Sequence, residues 1–390
     1  MALAAVAAGY CAYVYVIKPY DDTAIIASFT KAIREDLRTG ASIRTLNSKY
    51  DAILERFGAS RGQDILVAAI PEGGVKLHLV NHQSGKFLYE TEGAAGITGC
   101  KPYAVGSCYH GFIIAMTADL GLGHIGDLVS ACKKALTSED VHDCAHGAGH
   151  AFLIEENYDY SQAMASCRSS FSDIRLDLEF CYNGVSMENT FGTLSETGQP
   201  GHSFKPTDPM YPCDMSAIMA DAQAHRSCWI TQSLSILTPL YTSINGDIPK
   251  AATYCDSLGR SSNPYALTDV ASCYRALGAQ IYFRGHNDVT EMRDLCSELR
   301  PEKRDSCLWF GAGYAYHYGN EVLPFQVCES EEDSERMSAC YLEIDKAIGL
   351  RYSETPQRIE ACLAIPVNYR QTCLQWVTGP DVDTPYKEIP

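Results

Sequence analysis

Sixteen cysteines fall along the chain as eight close pairs: Cys100 with Cys108, Cys132 with Cys144, Cys167 with Cys181, Cys213 with Cys228, Cys255 with Cys273, Cys296 with Cys307, Cys328 with Cys340, and Cys362 with Cys373. The second members recur at intervals of 36, 37, 47, 45, 34, 33 and 33 residues. A period in that range marks stacked two-helix units, each too small to bury its apolar face alone. The local text agrees: CYHGFIIA, CAHGAGHAF, CYNGVSMEN, CYRALGAQI and CLWFGAGYAY each begin at a second cysteine. Cys108, Phe112, Ala115 and Met116 recur at helical spacing. Each unit therefore reads as helix, short turn, helix, with one Cys on each arm, a geometry that allows the bridging distance of about 5.5 Å between Cα atoms. Eight first-to-second disulfides are expected, although spacing alone leaves other pairings open.

The chain holds 17 Cys in 390 residues, a usage that fits an oxidising compartment better than a reducing cytosol. No CxxC occurs, which argues against zinc-knuckle and iron–sulfur ligation, and no CxxCH, which argues against c-type haem. Hydrophobic residues make up 46% and charged residues 20%, a globular balance. The net charge of −17 repels phosphate backbones and argues against a nucleic-acid partner.

Residues 2–17, ALAAVAAGYCAYVYVI, run sixteen positions without a charge before Lys18. That is near the lower limit for crossing a bilayer. Residues 1–22 are read as a signal anchor that tethers an extracytoplasmic body to the membrane; a cleaved signal, which would leave a secreted protein, and a buried core helix are the rivals. Tyr10 before Cys11 is the wrong residue for a lipoprotein signal, and no Lys or Arg precedes the run.

Residues 23–98 read as a helical N-terminal cap, with helices over 23–37 and 41–57, an apolar segment Arg61–Ile70 and a helix over Val75–Tyr89. Tyr50, Ile53, Leu54 and Phe57 form one stripe. Residues 99–378 hold the eight units. Thr193–Pro212 interrupts them with a Pro- and Gly-rich stretch that lacks helical period, a lid or an excursion. Residues 379–390 read as a disordered tail. The expected fold class is all-α: an array of disulfide-stapled helical hairpins, α-solenoid or α/α-toroid-like, behind an apolar anchor.

Five of the eleven histidines cluster near the start of the array: His78 and His82 in HLVNH, His110 in CYHG, His146 and His150 in CAHGAGH. Residues four apart share a helix face, so two imidazoles of one HxxxH can reach a single metal ion. His110 and His146 also share a register, two residues after the second Cys. The five together form a candidate nitrogen-rich metal site suited to Zn, Cu, Fe or Ni. Asn183 takes the matching position in the next unit, and Ile230, Arg275, Trp309 and Leu342 in later ones, so the feature belongs to the first half. HGAGH lacks the Glu of HExxH, which disfavours a zincin-type protease. Glu155, Glu156, Glu188 and Asn183 are the candidates to support metal-bound imidazoles from behind. Glu90 and Asp143 join Glu188 as candidate bases. Gly85, Gly111, Gly147 and Gly149 accompany the histidines, for close helix approach or for ligand room.

No phosphate-binding loop, GxGxxG or GxSxG occurs. Tyr109, Tyr182, Tyr274 and Tyr341 follow the second Cys of their units, a regularity expected of core packing.

The segments FLYETEGAAGITGC, CYHG and CAHGAGHAF resemble a loose group of secreted or membrane-anchored bacterial proteins with CYHG and HGxGH motifs on Cys-paired helices. The resemblance covers Val75–Asn189 and implies no reaction. Members carry a Cys just before the first HxxxH, where this chain has Leu77, so the bridge expected there is absent. The residues leave three functions: an extracytoplasmic, membrane-anchored repeat protein with a polyhistidine metal site, which either holds its metal or uses it as a metal-dependent enzyme of unnamed reaction; a scaffold for a peptide, glycan or cell-wall partner; or a bis-His haem protein.

Overall fold

Each second cysteine sits on a long helix, and most first cysteines sit on a shorter helix just before it. The computed structural model describes residues 22–379 other than 71–73, 105, 136–137, 172–174, 192–204, 206–207, 209, 237–246, 261–262, 286–287, 318 and 353–354. The expected anchor, Cys11, most of the Thr193–Pro212 connection and the tail lie outside the described residues. Among the described residues, no helix is long and apolar enough to cross a membrane, and none forms a strand.

The chain opens with α1 (Asp22–Thr39), α2 (Ile43–Ala69) and α3 (Gly74–Glu92). Ser42 starts α2 by accepting the Thr45 amide at 3.2 Å, which satisfies one of the donors that a helix start leaves open. The two segments expected at 41–57 and Arg61–Ile70 are two helical stretches within α2, joined across a kink at Gly58, where φ is +72° and the backbone is not helical. Only Gly takes that backbone angle without a steric penalty, so the kink falls where the sequence divides the two segments. Tyr50, Ile53 and Leu54 of the expected stripe are buried.

The long helices that follow are α4 (Ser107–Leu120), α6 (Ser138–Glu155), α8 (Arg175–Phe191), α10 (Ala222–Ile236), α12 (Ala266–Arg284), α14 (Pro301–His317), α16 (Ser334–Arg351) and α18 (Val367–Thr378). The short ones are α5 (Ile125–Ala135), α7 (Tyr160–Phe171), α9 (Ser216–Met219), α11 (Ile248–Leu258), α13 (Val289–Ser297), α15 (Leu323–Glu329) and α17 (Thr355–Ala364).

Disulfides join all eight sequential pairs. Cys100 is bonded to Cys108, Cys132 to Cys144, Cys167 to Cys181 and Cys213 to Cys228. Cys255 is bonded to Cys273, Cys296 to Cys307, Cys328 to Cys340 and Cys362 to Cys373. Cα separations run from 5.4 to 6.4 Å. All sixteen of these cysteines are buried, so the bridges are part of the core. Cys144, Cys228, Cys273, Cys307 and Cys340 each lie within the first eight residues of their long helices, so those bridges staple the helix starts. Two units depart from the expected pattern of a Cys on each helical arm. Cys100 follows a 3-10 segment, and Cys213 lies in a turn. Only 8 residues separate Cys100 from Cys108, too few for a helix and a reversal. Pro212 cannot donate a backbone hydrogen bond just before Cys213.

The long helices pack in chain order, α2 on α3, α3 on α4, α4 on α6, α6 on α8 and onward to α18, with each short helix flanking the long helix that follows it. Neighbouring long helices run in the same direction. Asn81 and Tyr89 of α3 meet Ser107 and Asp119 of α4, and Glu179 and Asn183 of α8 meet Arg226 and Thr231 of α10. In each case the contacts advance together along both chains. Equivalent positions on successive long helices therefore face each other. Tyr109, Tyr182, Tyr274 and Tyr341 are all buried, as their register predicts.

Candidate metal centre

Glycines set the spacing of α3, α4, α6 and α8. A Cβ at Gly111 would stand 1.9 Å from the His82 carbonyl oxygen, and one at Gly85 would stand 1.9 Å from that of Cys108. At the α6–α8 interface, a Cβ at Gly149 would stand 2.1 Å from the Cys181 carbonyl oxygen and one at Gly184 1.9 Å from that of His146. No side chain fits at those distances. Of the two uses the sequence allows for these residues, the structure shows close backbone approach. Imidazoles on adjacent helices are thereby drawn nearly into contact.

The structure brings all five sequence-predicted histidines together. Their rings form two triangles that share His110. In the first, ring centroids lie 4.9 Å apart for His78–His82, 4.9 Å for His78–His110 and 5.6 Å for His82–His110. In the second they lie 4.5 Å apart for His110–His146, 5.1 Å for His110–His150 and 4.9 Å for His146–His150. Within each triad, one nitrogen from each ring lies within 4.8 Å of the other two, close enough for a metal ion between them. His82, His110, His146 and His150 are buried, and His78 is partly so.

Hydrogen bonds fix several tautomers. His78 Nδ1 is 2.8 Å from the Ala104 carbonyl oxygen. A carbonyl only accepts, so Nδ1 carries the proton and Nε2 keeps its lone pair. His110 Nδ1, 3.3 Å from that Nε2, must then be the donor, which leaves His110 Nε2 with a lone pair. His150 Nδ1 is 3.0 Å from Glu188 Oε2, and both side chains are fully buried. An ionised carboxylate also only accepts, so His150 Nε2 keeps a lone pair too. The Nε2 atoms of His82, His110, His146 and His150 are buried and make no hydrogen bond. Leaving a buried polar atom unpaired costs about 1–3 kcal/mol, and four in one place form a concentrated cost.

Burial holds the His78 imidazole down to about 4. Burial first, and then neighbouring imidazoles, hold His82, His110 and His146 well below the usual histidine range. These rings are neutral near pH 7, the form that ligates metals.

Of the supporting groups read from the sequence, Glu188 reaches the cluster. The Tyr158 hydroxyl donates to its other oxygen at 3.2 Å, so the carboxylate is held from two sides. Asn183 instead donates to Thr231, and Glu156 accepts from Ser166 at 3.4 Å. Glu155 lines an open groove of about 830 Å³ with His82, Lys86, Glu90 and Asp119. His82 is the histidine where that groove meets the cluster. The Asp143 side chain packs against Gly106, at the start of α4.

The sequence motifs passed over His142, one turn before His146. Its Nδ1 is 2.7 Å from Asp177 Oδ1, and its ring stacks on Phe180. A similar pair joins His225 to Asp269 at 2.8 Å. Both aspartates stand four residues before a second Cys, a register that would have flagged them. The spacing HxxxHxxxH across His142, His146 and His150 was also legible. Comparison with protein-family models, curated proteins and solved structures finds no match to this chain.

Proposed function

We propose that this protein is an extracytoplasmic helical repeat protein whose buried polyhistidine centre holds a transition-metal ion, Zn, Cu or Fe. The observation that carries the reading is the set of four buried, unpaired Nε2 atoms within two His triads. A metal ion removes the cost of those unpaired atoms by making them ligands. A donor set of neutral imidazoles selects borderline transition ions over Ca or Mg. Eight buried disulfides support an oxidising compartment. The stacked long helices and 33–47-residue spacing support a solenoid-like array, in which the chain's repeated unit is the bridged hairpin. The N-terminal apolar run supports membrane attachment.

Two features favour holding a reactive metal over a purely structural one. Three imidazoles per triad leave a fourth position on a tetrahedral ion for water or a substrate atom, as catalytic sites do. The groove at His82 gives a small molecule a route toward the cluster. Haem fits poorly, because the backbone contacts at Gly85, Gly111 and Gly149 leave no slot between the helices for a flat macrocycle.

Metal analysis of protein purified without a His-tag tests the reading. Stoichiometric Zn, Cu or Fe in the wild type, lost in His146→Ala and kept in His124→Ala, is the expected result. His124 is exposed, apart from the cluster, and pairs with Asp127. A metal-free wild type that fails to take up Zn or Cu would leave a scaffold for a peptide or glycan as the better reading.

A further inference from the structure

We propose that the centre takes two ions, with His110 as a shared imidazolate between them; this rests on the metal-centre reading above. The five rings do not surround one point. They form two triads with His110 as the common corner. Other corners of different triads stand farther apart, as His82 and His150 do at 6.4 Å.

His110 is placed to serve both triads because its two nitrogens have different surroundings. Nδ1 faces His78 Nε2 at 3.3 Å. That is the separation of two nitrogens on one tetrahedral ion with bonds of about 2.0–2.1 Å, which puts them about 3.3–3.4 Å apart. Nε2 is buried and unpaired, and one nitrogen each of His110, His146 and His150 lie within 4.8 Å of one another. One ion is held by His146, His150 and His110 Nε2. The other is held by His78, His82 and His110 Nδ1.

In the metal-free protein His110 Nδ1 carries the proton that it donates to His78. Binding the ion of the first triad breaks that N–H bond and forms a metal–nitrogen bond, and the proton leaves to solvent. No electron moves. The resulting imidazolate and the buried Glu188 carboxylate offset part of the added positive charge. The ions suited to such a donor set are Zn(II) and Cu(II).

The test uses the full, untagged, disulfide-bonded chain, stripped with chelator and reloaded with Zn(II) or Cu(II). Elemental analysis should give two ions per chain. The Cu(II)-loaded protein should show a diminished, spin-coupled resonance signal, because an imidazolate links the two ions. His78→Ala should retain one ion with an ordinary single-copper signal, and His146→Ala should also retain one, so that the earlier test on His146→Ala reads as a loss of half the metal. His110→Ala should lose both, with circular dichroism reporting its helix content. Should His110→Ala not fold, the wild-type stoichiometry and spin coupling still decide. One ion in the wild type, lost equally in His78→Ala and His146→Ala, overturns the two-ion proposal and keeps the metal centre. Two uncoupled ions overturn the bridge. No ion at all overturns both readings.

Discussion

Glu188 Oε2 lies 3.0 Å from His150 Nδ1, across the α6–α8 interface, with both side chains fully buried. A buried carboxylate behind an imidazole does two things. It fixes the ring's tautomer, and it raises the basicity of the nitrogen on the far side. Such partners typically change metal affinity by 10–100-fold. Glu188→Gln keeps the shape and removes the charge. Its metal affinity should fall by about that factor in a chelator competition titration, with the circular dichroism spectrum unchanged. An unchanged affinity would show that Glu188 serves packing alone.

Gly111 tests whether helix approach builds the site. Its missing side chain leaves room for the His82 carbonyl, 1.9 Å from where a Cβ would be. Gly111→Ala must push α3 from α4, and overpacking of this kind costs about 1–3 kcal/mol. Denaturant unfolding should report that loss together with weakened metal binding. Gly123→Ala has nothing within 4 Å of its Cβ and should leave both unchanged.

Non-reducing peptide mapping should recover the eight sequential bridges and no free thiol from Cys100 to Cys373. The chain-entropy model gives each short loop on the order of 3 kcal/mol, and the bridges need not add. Reduction should therefore abolish cooperative unfolding well below the transition of the oxidised protein. Long-range pairings in the map would overturn the register of the whole array.

Asp345, buried on α16, supplies a pH signature away from the histidine cluster. Burial first pushes its carboxyl up, to about 8. The folded state thus prefers the protonated form, while the unfolded chain ionises near the ordinary carboxylate value of about 4. The group's contribution to stability is full below about pH 4 and is lost progressively as pH rises to about 8. Asp345→Asn removes that loss. Its melting temperature should match the wild type near pH 4 and exceed it at pH 8–9 by a few degrees. A difference that does not grow with pH would place the carboxylate in a better-solvated setting.

Much of this architecture is written into the sequence. The even count of the sixteen cysteines from Cys100 to Cys373 and their regular spacing point to paired helices, because a bridge needs both arms within a few ångströms. The two HxxxH spacings put His78 with His82 and His146 with His150, since residues four apart share a helix face. His110 joined them through register, which works because neighbouring long helices run in the same direction. Register failed where Cys213 follows Pro212 and lies in a turn rather than on a helix, while the break at Gly58 falls where composition divides the segment in two.

Other features depend on which helices touch, and no local pattern carries that information. Glu188 lies 38 residues from His150, and Asp177 lies 35 from His142. Spacing gave Glu188 the same standing as Glu155, Glu156 and Asn183, and only packing separates it from them. The same holds for the division of five histidines into two triads. A sequence can place a nitrogen on a helix face, but the distance between faces is set by the glycines that let backbones meet. At bond lengths near 2 Å, a shift smaller than one methyl group decides whether three imidazoles share an ion. The chain by itself determines its helices, its bridges and the imidazoles it can offer; the tertiary structure decides which of those imidazoles come together, because that depends on contacts between residues far apart in sequence.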